Sequence, residues 1–310
     1  MTTRPIIIGA GMAGLACARV LKDNGWDPLI LDKGRGIGGR LASRRTPQGW
    51  HFDHGAQYVR ATSQGFAEAI RAMTVSGHAA PWAIGKSPTA IVGVPGMSAL
   101  AKSLSQDIDI RSNLRVTSMR YDGQWTLETD AGAFDTQTLI VTTPAPQTLE
   151  LLGPDHALVS AVARAQMVPN LTLMLGFSET SPKPGFMTRR DASDPIAWLA
   201  HNSTKSGRPP HDAWVAQASL AFSKEHLEQD KDSIAATMLP LACDRLGIDP
   251  SHATYVSAHR WRYATVAKPV GAPFLKDGNL YLGGDWCLGA KVEHAWTSGT
   301  AIAQAILDSQ

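Results

Sequence analysis

The chain has 310 residues, of which 44% are hydrophobic and 18% charged, and its formal net charge is only +2. This length can bury a sizeable core and exceeds that of most single domains. Acidic and basic residues are interspersed and no apolar run reaches the length of a membrane span, so we expect neither a nucleic acid nor a membrane as partner.

The first forty-five residues contain the strongest motif. An apolar run at 6–8 predicts a buried parallel strand, and residues 13–22 have a helix-forming composition. Between them three glycines stand in G-x-G-x-x-G spacing: Gly9, Gly11 and Gly14. A second apolar run, 28–31, ends in Asp32. This order of strand, turn, helix, strand and acid predicts a dinucleotide site.

Each glycine has a physical reason in such a site. Gly9 permits the tight turn, Gly11 lets a pyrophosphate approach the backbone, and Gly14 lets the helix pack closely on the strand. The helix N-terminus, at Met12 and Ala13, presents free N–H groups and a partial positive charge. We predict that the phosphates bind there.

Asp32 and the glycine-rich run after it complete the predicted nucleotide site. A carboxylate eighteen residues past the last motif glycine is placed to accept hydrogen bonds from a ribose diol, and we include its neighbour Lys33 in the site. Gly38, Gly39 and Arg40 add backbone N–H groups and a guanidinium for the same pyrophosphate. The alternative is a flexible loop with a solvated arginine.

The rest of the chain reads as alternating elements. We predict helices over 63–73, 97–105, 233–246 and 292–307, and strands over 107–111, 114–121, 125–129, 138–143, 171–177, 213–220, 253–260 and 279–282. From about residue 149 the pattern of predicted elements changes, which indicates a second domain with its own sheet. The last strand and the closing helix then return to the first sheet.

Several segments resemble FAD-dependent flavoproteins of the amine oxidase type, and most of all the renalase branch with its bacterial members. They are GAGMAGL, LDKGRGIGGRLASRR, FDHGAQY, HRWRYA and LYLGGDWCLGAKVEHAWTSG. The resemblance is specific over residues 1–60 and 255–310 and vague between them. It implies FAD as cofactor and an α/β fold, in which a Rossmann-type FAD-binding domain (p-hydroxybenzoate hydroxylase or amine oxidase-like) carries a second, mixed-sheet substrate domain.

The domain boundaries follow from these segments. We expect the FAD-binding domain to comprise residues 1–60, 92–148 and 265–310, and the substrate domain residues 61–91 and 149–264. The resemblance implies that Val116 lies near the adenine. It also implies that a short segment approaches the flavin ring with its backbone; this segment consists of Gly55, Ala56 and Gln57.

The closing motif supplies further predicted FAD contacts. Asp285 follows a predicted strand, where a carboxylate suits the ribityl chain or phosphate-bound water; a helix cap without a ligand is the alternative. The next helix begins near Val292, so its positive end is expected at the flavin edge that becomes negative on reduction, with Lys291 and Glu293 beside it. His294 stands where the family usually has glycine. We expect its imidazole ring either to face the substrate or to pack beside the helix.

The segment 259–263 supplies the candidate substrate contacts. Strand alternation would place Arg260 and Arg262 on one face and Trp261 and Tyr263 on the other. One face then offers stacking for a flat heterocycle and the other offers anion contacts. An edge strand with a core tryptophan is the alternative.

The three cysteines, Cys17, Cys243 and Cys287, fit no metal spacing, so we predict no metal. Cys287 does not occupy the position through which some amine oxidases link their flavin, and we expect non-covalent FAD. Residues 6–21 superficially resemble a signal peptide, but cleavage there would remove the nucleotide turn. We therefore expect a cytoplasmic protein.

The sequence contains no nucleophile elbow and no second nucleotide-binding motif, and no residue stands out as a catalytic base. We therefore expect the flavin to carry out the chemistry. The resemblance implies an oxidase that takes hydride from a dihydropyridine, an isomeric form of NAD(P)H, and passes electrons to O2 to give H2O2. The alternatives are an amine oxidase and a flavin-binding protein without turnover.

Overall fold

A computed structural model describes residues 4–84, 89–178 and 181–309. The first part of the chain forms β1 (Ile6–Ile8), α1 (Met12–Asp23), β2 (Leu29–Leu31), β3 (Ser43–Arg45), β4 (His51–Asp53), α2 (Gln64–Val75), β5 (Ala79–Trp82), β6 (Ala90–Gly93), α3 (Ser98–Leu104), β7 (Asp109–Arg111), β8 (Val116–Tyr121), β9 (Trp125–Thr129), β10 (Gly132–Thr136) and β11 (Leu139–Val141). The second part forms α4 (Ala145–Leu152), α5 (Val159–Val162), β12 (Gln166–Phe177), β13 (Thr188–Arg190), β14 (Trp198–His201), β15 (Asp212–Gln217), α6 (Leu220–Glu225), α7 (Lys231–Leu246), β16 (Ala253–Lys268), β17 (Leu275–Asp277), β18 (Leu280–Leu282) and α8 (Val292–Leu307).

The first sheet gathers strands from both ends of the chain, in the order β17-β18-β11-β1-β2-β7. All its pairings are parallel except that of β17 with β18. Its inner strands are short and wholly apolar because both faces are covered. Ile7 packs with α1 and α8 on one face, whereas Ile6 and Ile8 pack with β9, α5 and Trp286 on the other.

The glycine turn after β1 has the predicted geometry. Gly9 has a φ of +107°, a backbone conformation that favours glycine. A Cβ on Gly14 would lie 2.0 Å from the carbonyl oxygen of Gly9, so α1 packs against the turn at a distance that no side chain permits. The turn therefore fixes where α1 begins, at the carboxyl end of β1.

The second sheet has the order β13-β14-β15-β12-β16, and every pairing among its described strands is antiparallel. The 16-residue β16 and the 12-residue β12 pair along their whole length, with register shifts between Gln166 and Met167, Val168 and Asn170, and Gly176 and Phe177. One face packs on α7 through a buried cluster that includes Leu173, Trp214 and Met238. The α/β architecture with two sheets agrees with the predicted fold class.

Most predicted elements are present, but in the second sheet β13, β14 and α6 were not predicted, and three strands have other bounds than expected. The predicted strand 171–177 begins earlier, at Gln166, because its pairing with β16 extends that far. The predicted strand 213–220 ends at Gln217, because Ser219 caps α6 by accepting a hydrogen bond from the backbone N–H of Phe222. The predicted strand 253–260 continues to Lys268, because its pairing with β12 continues that far.

The predicted domain boundaries stay a prediction, and they include residues 1–3, 85–88, 179–180 and 310, which lie outside the described part of the chain. Within the described part, the helices are all too short or too polar to cross a membrane.

Candidate active site

A cavity of about 1490 Å³ lies at the carboxyl ends of β1, β2 and β11 and extends to the second sheet. This is the edge at which open α/β sheets bind their ligands. The predicted site residues that line it are Gly9, Gly11, Met12, Ala13, Asp32, Lys33, Gly39, Arg40, Gly55, Ala56, Gln57, Val116, Trp261, Arg262, Tyr263, Asp285, Lys291, Val292 and Glu293. Gly14, Arg260 and His294 are not part of the lining.

The start of α1 offers backbone donors to the cavity. Gly11 is its N-cap, no side chain caps the helix and its first turn holds no acid. The backbone N–H of Gly38 donates to the carbonyl of Ala10 at 2.8 Å, which brings the turn containing Gly39 beside Gly11. The N–H groups and positive end of α1 therefore face a space that suits the phosphates of a dinucleotide.

Asp32 is tied to this turn by its own carboxylate. One oxygen accepts the backbone N–H of Ala10 and the other that of Gly34, each at 2.6 Å. Asp32 therefore shapes the glycine turn as well as facing the predicted ribose position. Burial, together with the nearby Arg115, lowers the pKa of Lys33 beside it.

Arg40 and Asp285 form a paired contact that the sequence does not predict. The two guanidinium nitrogens of Arg40 donate to the two carboxylate oxygens of Asp285 at 2.6 and 2.7 Å, and one of them also donates to the carbonyl of Ala264. The side chain of Asp285 is only 8% exposed. The two residues were expected to contact the cofactor separately; the structure shows that each also holds the other, which joins the first and last motifs.

The carboxylate of Glu293, predicted to contact FAD, is bound by two other residues of the protein. It accepts the backbone N–H and the hydroxyl of both Thr62 and Ser63, at distances of 2.5 to 3.0 Å. Burial raises the pKa of Glu293, but these hydrogen bonds outweigh it and hold the pKa at about 2. Glu293 lines the cavity, yet its charge is used to join α8 to the start of α2.

The segment 55–57 lies against the turn that carries Arg40. The backbone N–H of Ala56 donates to the carbonyl of Arg40 at 2.9 Å. A Cβ on Gly55 would lie 2.0 Å from that same oxygen, so only glycine allows this approach. The backbone of the segment thus forms part of the cavity surface, and its contact with the flavin ring stays a prediction.

The structure separates the candidate substrate contacts of 259–263. Trp261 lines the cavity, donates its indole N–H to the carbonyl of His54 at 2.8 Å and stacks on the His54 ring at 5.4 Å. Arg260 donates to the carbonyls of Leu227 and Gln229 instead, and Arg262 pairs with Glu228 at 2.6 and 2.9 Å. The predicted substrate contact of Arg260 is therefore corrected: its guanidinium anchors the loop before α7.

His294 takes the second of its two predicted positions. Its Nδ1 lies 3.0 Å from where a Cβ on Gly289 would be, so the ring packs beside the start of α8. The ring is not part of the cavity lining.

Among the cavity residues that were not predicted as site residues are Tyr58, Asn170, Arg190, Trp198 and Gln217. Tyr58 ends the FDHGAQY motif, so its position was a usable signal. The others lie on β12, β13, β14 and β15, and only the pairing of those strands brings them to one surface. No local pattern marks them.

The charge and the volume of the cavity fit FAD. The lining holds seven basic residues (Lys33, Arg40, Arg60, Arg115, Arg190, Arg262, Lys291) against four acidic ones (Asp32, Glu150, Asp285, Glu293), which favours a ligand with negative charge. The volume exceeds the range of about 300–1,000 Å³ usual for one small ligand, so a cofactor and a substrate can share it. In the described part of the chain no group of three or more His, Cys, Asp or Glu side chains is placed to hold a metal.

Comparison with known proteins gives the same assignment. Residues 7–73 match an NAD(P)-binding Rossmann-like domain, and residues 81–307 match the flavin containing amine oxidoreductase family. Renalase from Mus musculus is 28% identical over 298 residues, which cover 86% of each protein.

Two solved structures share the fold. A candidate protoporphyrinogen oxidase from Exiguobacterium sp. 255-15 superposes with a TM-score of 0.82 at 14% identity, covering 100% of both chains. Cyclohexylamine oxidase from Brevibacterium oxydans IH-35A superposes with a TM-score of 0.78 at 12% identity, covering 100% of this chain and 99% of the other. The family match over residues 81–307, together with the likeness to renalase, shows that the chain belongs to the flavin containing amine oxidoreductase family and is a FAD-dependent oxidoreductase.

Proposed function

We propose that this enzyme is an oxidase that accepts hydride from a dihydropyridine donor, an isomeric form of NAD(P)H, and passes the electrons to O2 to give H2O2. When bound, FAD supplies the redox chemistry, and the protein binds, orients and shields the reactants. The observation that carries the proposal is the composition of the cavity lining at the second sheet: it consists of aromatic rings, amides and arginines, and among the described residues it includes no carboxylate and no imidazole.

The acids of the cavity are engaged elsewhere. Asp285 is paired with Arg40, the hydrogen bonds of Glu293 keep it ionised with a pKa of about 2, and Glu150 lies near Lys33 beside the predicted ribose position. None of them is placed to take a proton from a substrate at the second sheet. A dihydropyridine suits such a site because hydride leaves its ring without a protein base.

An amine fits this surface less well. With a pKa near that of lysine, it must first be deprotonated, which costs about 4.6 kcal/mol at pH 7, before hydride can leave. A protonated amine would also face the guanidinium of Arg190, whereas Arg262 is already paired with Glu228. The guanidinium of Arg190 favours the pyrophosphate of a dinucleotide, because guanidinium groups bind phosphate with paired hydrogen bonds.

The aromatic residues give the donor ring a place to stack. Tyr58 and Trp198 lie 6.0 Å apart between ring centroids, and Trp261 and Tyr263 line the cavity as well. A ring stacked on one of them gains about 0.5–1.5 kcal/mol beyond its buried area. Trp261 is held by its hydrogen bond to His54, so its ring is fixed before the substrate arrives.

The test is anaerobic stopped-flow mixing of the holoenzyme with isomeric dihydronicotinamide dinucleotides or with simple primary amines, following the flavin absorbance. We expect rapid bleaching by the dinucleotides and slow or no bleaching by the amines. Rapid bleaching by an amine alone would instead establish an amine oxidase, and bleaching by neither class would refute the proposal. Admitting O2 after bleaching should restore the absorbance and produce H2O2.

The form of the cofactor is tested separately. Cys287 is buried, and burial raises the pKa of its thiol to about 12, so it is a poor nucleophile for covalent attachment. Acid precipitation of the purified protein should release FAD into the supernatant. Flavin that stays on the pellet would contradict non-covalent binding.

A further inference from the structure

A buried cluster of charges lies directly behind the cavity segment 55–57. One carboxylate oxygen of Asp53 contacts both the ammonium of Lys205, at 3.0 Å, and the guanidinium of Arg208, at 2.5 Å. The three side chains are 1%, 0% and 1% exposed, in that order. The other carboxylate oxygen of Asp53 accepts the hydroxyl of Ser43 and the backbone N–H of Met97.

The cluster holds two cations and one anion, so a positive charge remains that Asp53 does not neutralise. Burying an ammonium is costly unless it is hydrogen-bonded. The ammonium of Lys205 therefore also donates to the side-chain oxygen of Gln57 at 3.1 Å and lies 5.0 Å from the ring centroid of Trp82. Of these partners, Gln57 lines the cavity.

The bond from Lys205 fixes which way the Gln57 amide points. Its oxygen accepts from Lys205, so its nitrogen donates, to the carbonyls of Asp53 at 2.5 Å and Gly55 at 3.1 Å. The carbonyl of Gly55 also accepts the side-chain N–H of Gln217 at 2.9 Å. A continuous set of hydrogen bonds thus runs from a fully buried cation to the surface of the cavity.

We propose that Lys205 is a positioning residue for FAD: its buried ammonium orients Gln57 and thereby holds segment 55–57 in the conformation that receives the flavin. The proposal rests on the role of the cavity as the FAD site. It assigns to Lys205 an effect on cofactor affinity although the residue does not itself line the cavity.

The protonation of Lys205 makes the effect pH-dependent. Burial lowers the pKa of Lys205 to about 8, against the opposing effect of Asp53. The charged groups that face the ammonium are Asp53 and Arg208; neighbouring His51, whose pKa burial lowers from 6.5, does not titrate above pH 7. As the pH rises from 7 to 9 the ammonium loses its proton, and its bond to Gln57 loses the strength that the charge gives it.

The experiment measures the FAD dissociation constant of the full-length apoprotein by flavin fluorescence, from pH 6.5 to 9.5. The variants are Lys205→Met, Gln57→Met and the double variant, with Lys102→Met as an exposed control on α3. Lys205→Met leaves Asp53 paired with Arg208, so the cluster becomes neutral and the variant is expected to fold. The pH series on the unmodified protein needs no substitution.

We expect the wild-type dissociation constant to rise roughly fivefold between pH 7 and 9, since a neutral donor replaces a charged one. Lys205→Met should weaken binding roughly tenfold at pH 7 and remove the pH step. The double variant should be no weaker than the weaker single variant, because both act through one contact.

Three results would overturn the proposal: a wild-type affinity that does not change across pH 8, a Lys205→Met affinity equal to that of Lys102→Met, or additive effects of the two single substitutions. Additive effects would mean that Lys205 and Gln57 act on FAD affinity independently, and not through their shared hydrogen bond. A wild-type protein that binds no FAD at any pH would refute both the FAD role of the cavity and the role of Lys205. The three results above would refute only the role of Lys205.

Discussion

Glu293→Gln tests how the closing helix is attached to the rest of the protein. The carboxylate accepts four hydrogen bonds from Thr62 and Ser63, and all four groups are donors. Glutamine has nearly the same shape: its carbonyl oxygen can accept the same three hydrogen bonds from Thr62 and Ser63, and its –NH2 group can donate to the hydroxyl of Thr62, which also accepts. The substitution therefore removes the negative charge and lets the hydrogen bonds remain.

The magnitude follows from the pKa. Relative to the ordinary value of 4.5, a pKa of about 2 for buried Glu293 corresponds to about 3 kcal/mol of stability at 1.36 kcal/mol per unit. Because the pKa is lowered in the folded state, this contribution is fully present above pH 4.5 and is lost as the pH falls toward 2. At pH 3 about 1.4 kcal/mol of it should remain.

The assay is urea unfolding of the wild type, of Glu293→Gln and of Glu68→Gln, a control on the exposed face of α2. We expect Glu293→Gln to be about 3 kcal/mol less stable than the wild type at pH 7, with the difference reduced by half or more at pH 3. The control should stay within about 0.5 kcal/mol of the wild type. A loss that is the same at both pH values would refute the assignment of the stability to the ionised carboxylate.

Three further outcomes test the cavity. Asp32→Ala removes the acceptor of two backbone N–H groups and the predicted ribose ligand, so the FAD dissociation constant should rise tenfold or more; an unchanged constant would mean that Asp32 only shapes the turn. Arg40→Met leaves buried Asp285 without its partner and should cost about 3 kcal/mol in urea unfolding, the low end for a buried pair because Arg40 is 31% exposed; no loss would show that Asp285 finds another donor. Gly55→Ala should lower the Tm and weaken FAD binding, whereas Gly185→Ala, which has open space around it, should change neither; equal behaviour of the two would contradict the close approach at Gly55.

Residues that act through local sequence could be predicted. The turn at Gly9, the start of α1 and the segment 55–57 each depend on a few consecutive residues, and the structure places them on one cavity. The same holds for α8, whose predicted bounds of 292–307 agree with the structure. A short motif carries this information because backbone geometry and helix ends are set within a few residues.

Contacts between distant segments could not be predicted in this way. Arg40 and Asp285 are 245 residues apart, and each fits a cofactor role by itself, so neither sequence context reveals that they bind each other. Glu293 lies in the first turn of a helix beside the flavin motif, which favours a cofactor role; the donors that engage it, Thr62 and Ser63, lie just before α2, about 230 residues earlier. Lys205 belongs to no recognisable motif, and its ammonium is paired with Asp53 of β4, 152 residues earlier in the chain.

These distant contacts share a consequence for cofactor binding. The Arg40–Asp285 pair and the bonds of Glu293 connect the start of the chain to its end, and the Lys205 cluster connects the second sheet to segment 55–57. The cavity therefore exists only when the separate parts are assembled, and FAD binds that assembled state rather than the unfolded chain. By mass action, FAD at 100 times its dissociation constant should then add about 2.7 kcal/mol to the stability of the folded protein. A substitution in a contact that only supports the core should leave this FAD contribution unchanged, whereas one in a contact that closes the cavity raises the dissociation constant and should lower the contribution at the same FAD concentration, which separates the two kinds of contact.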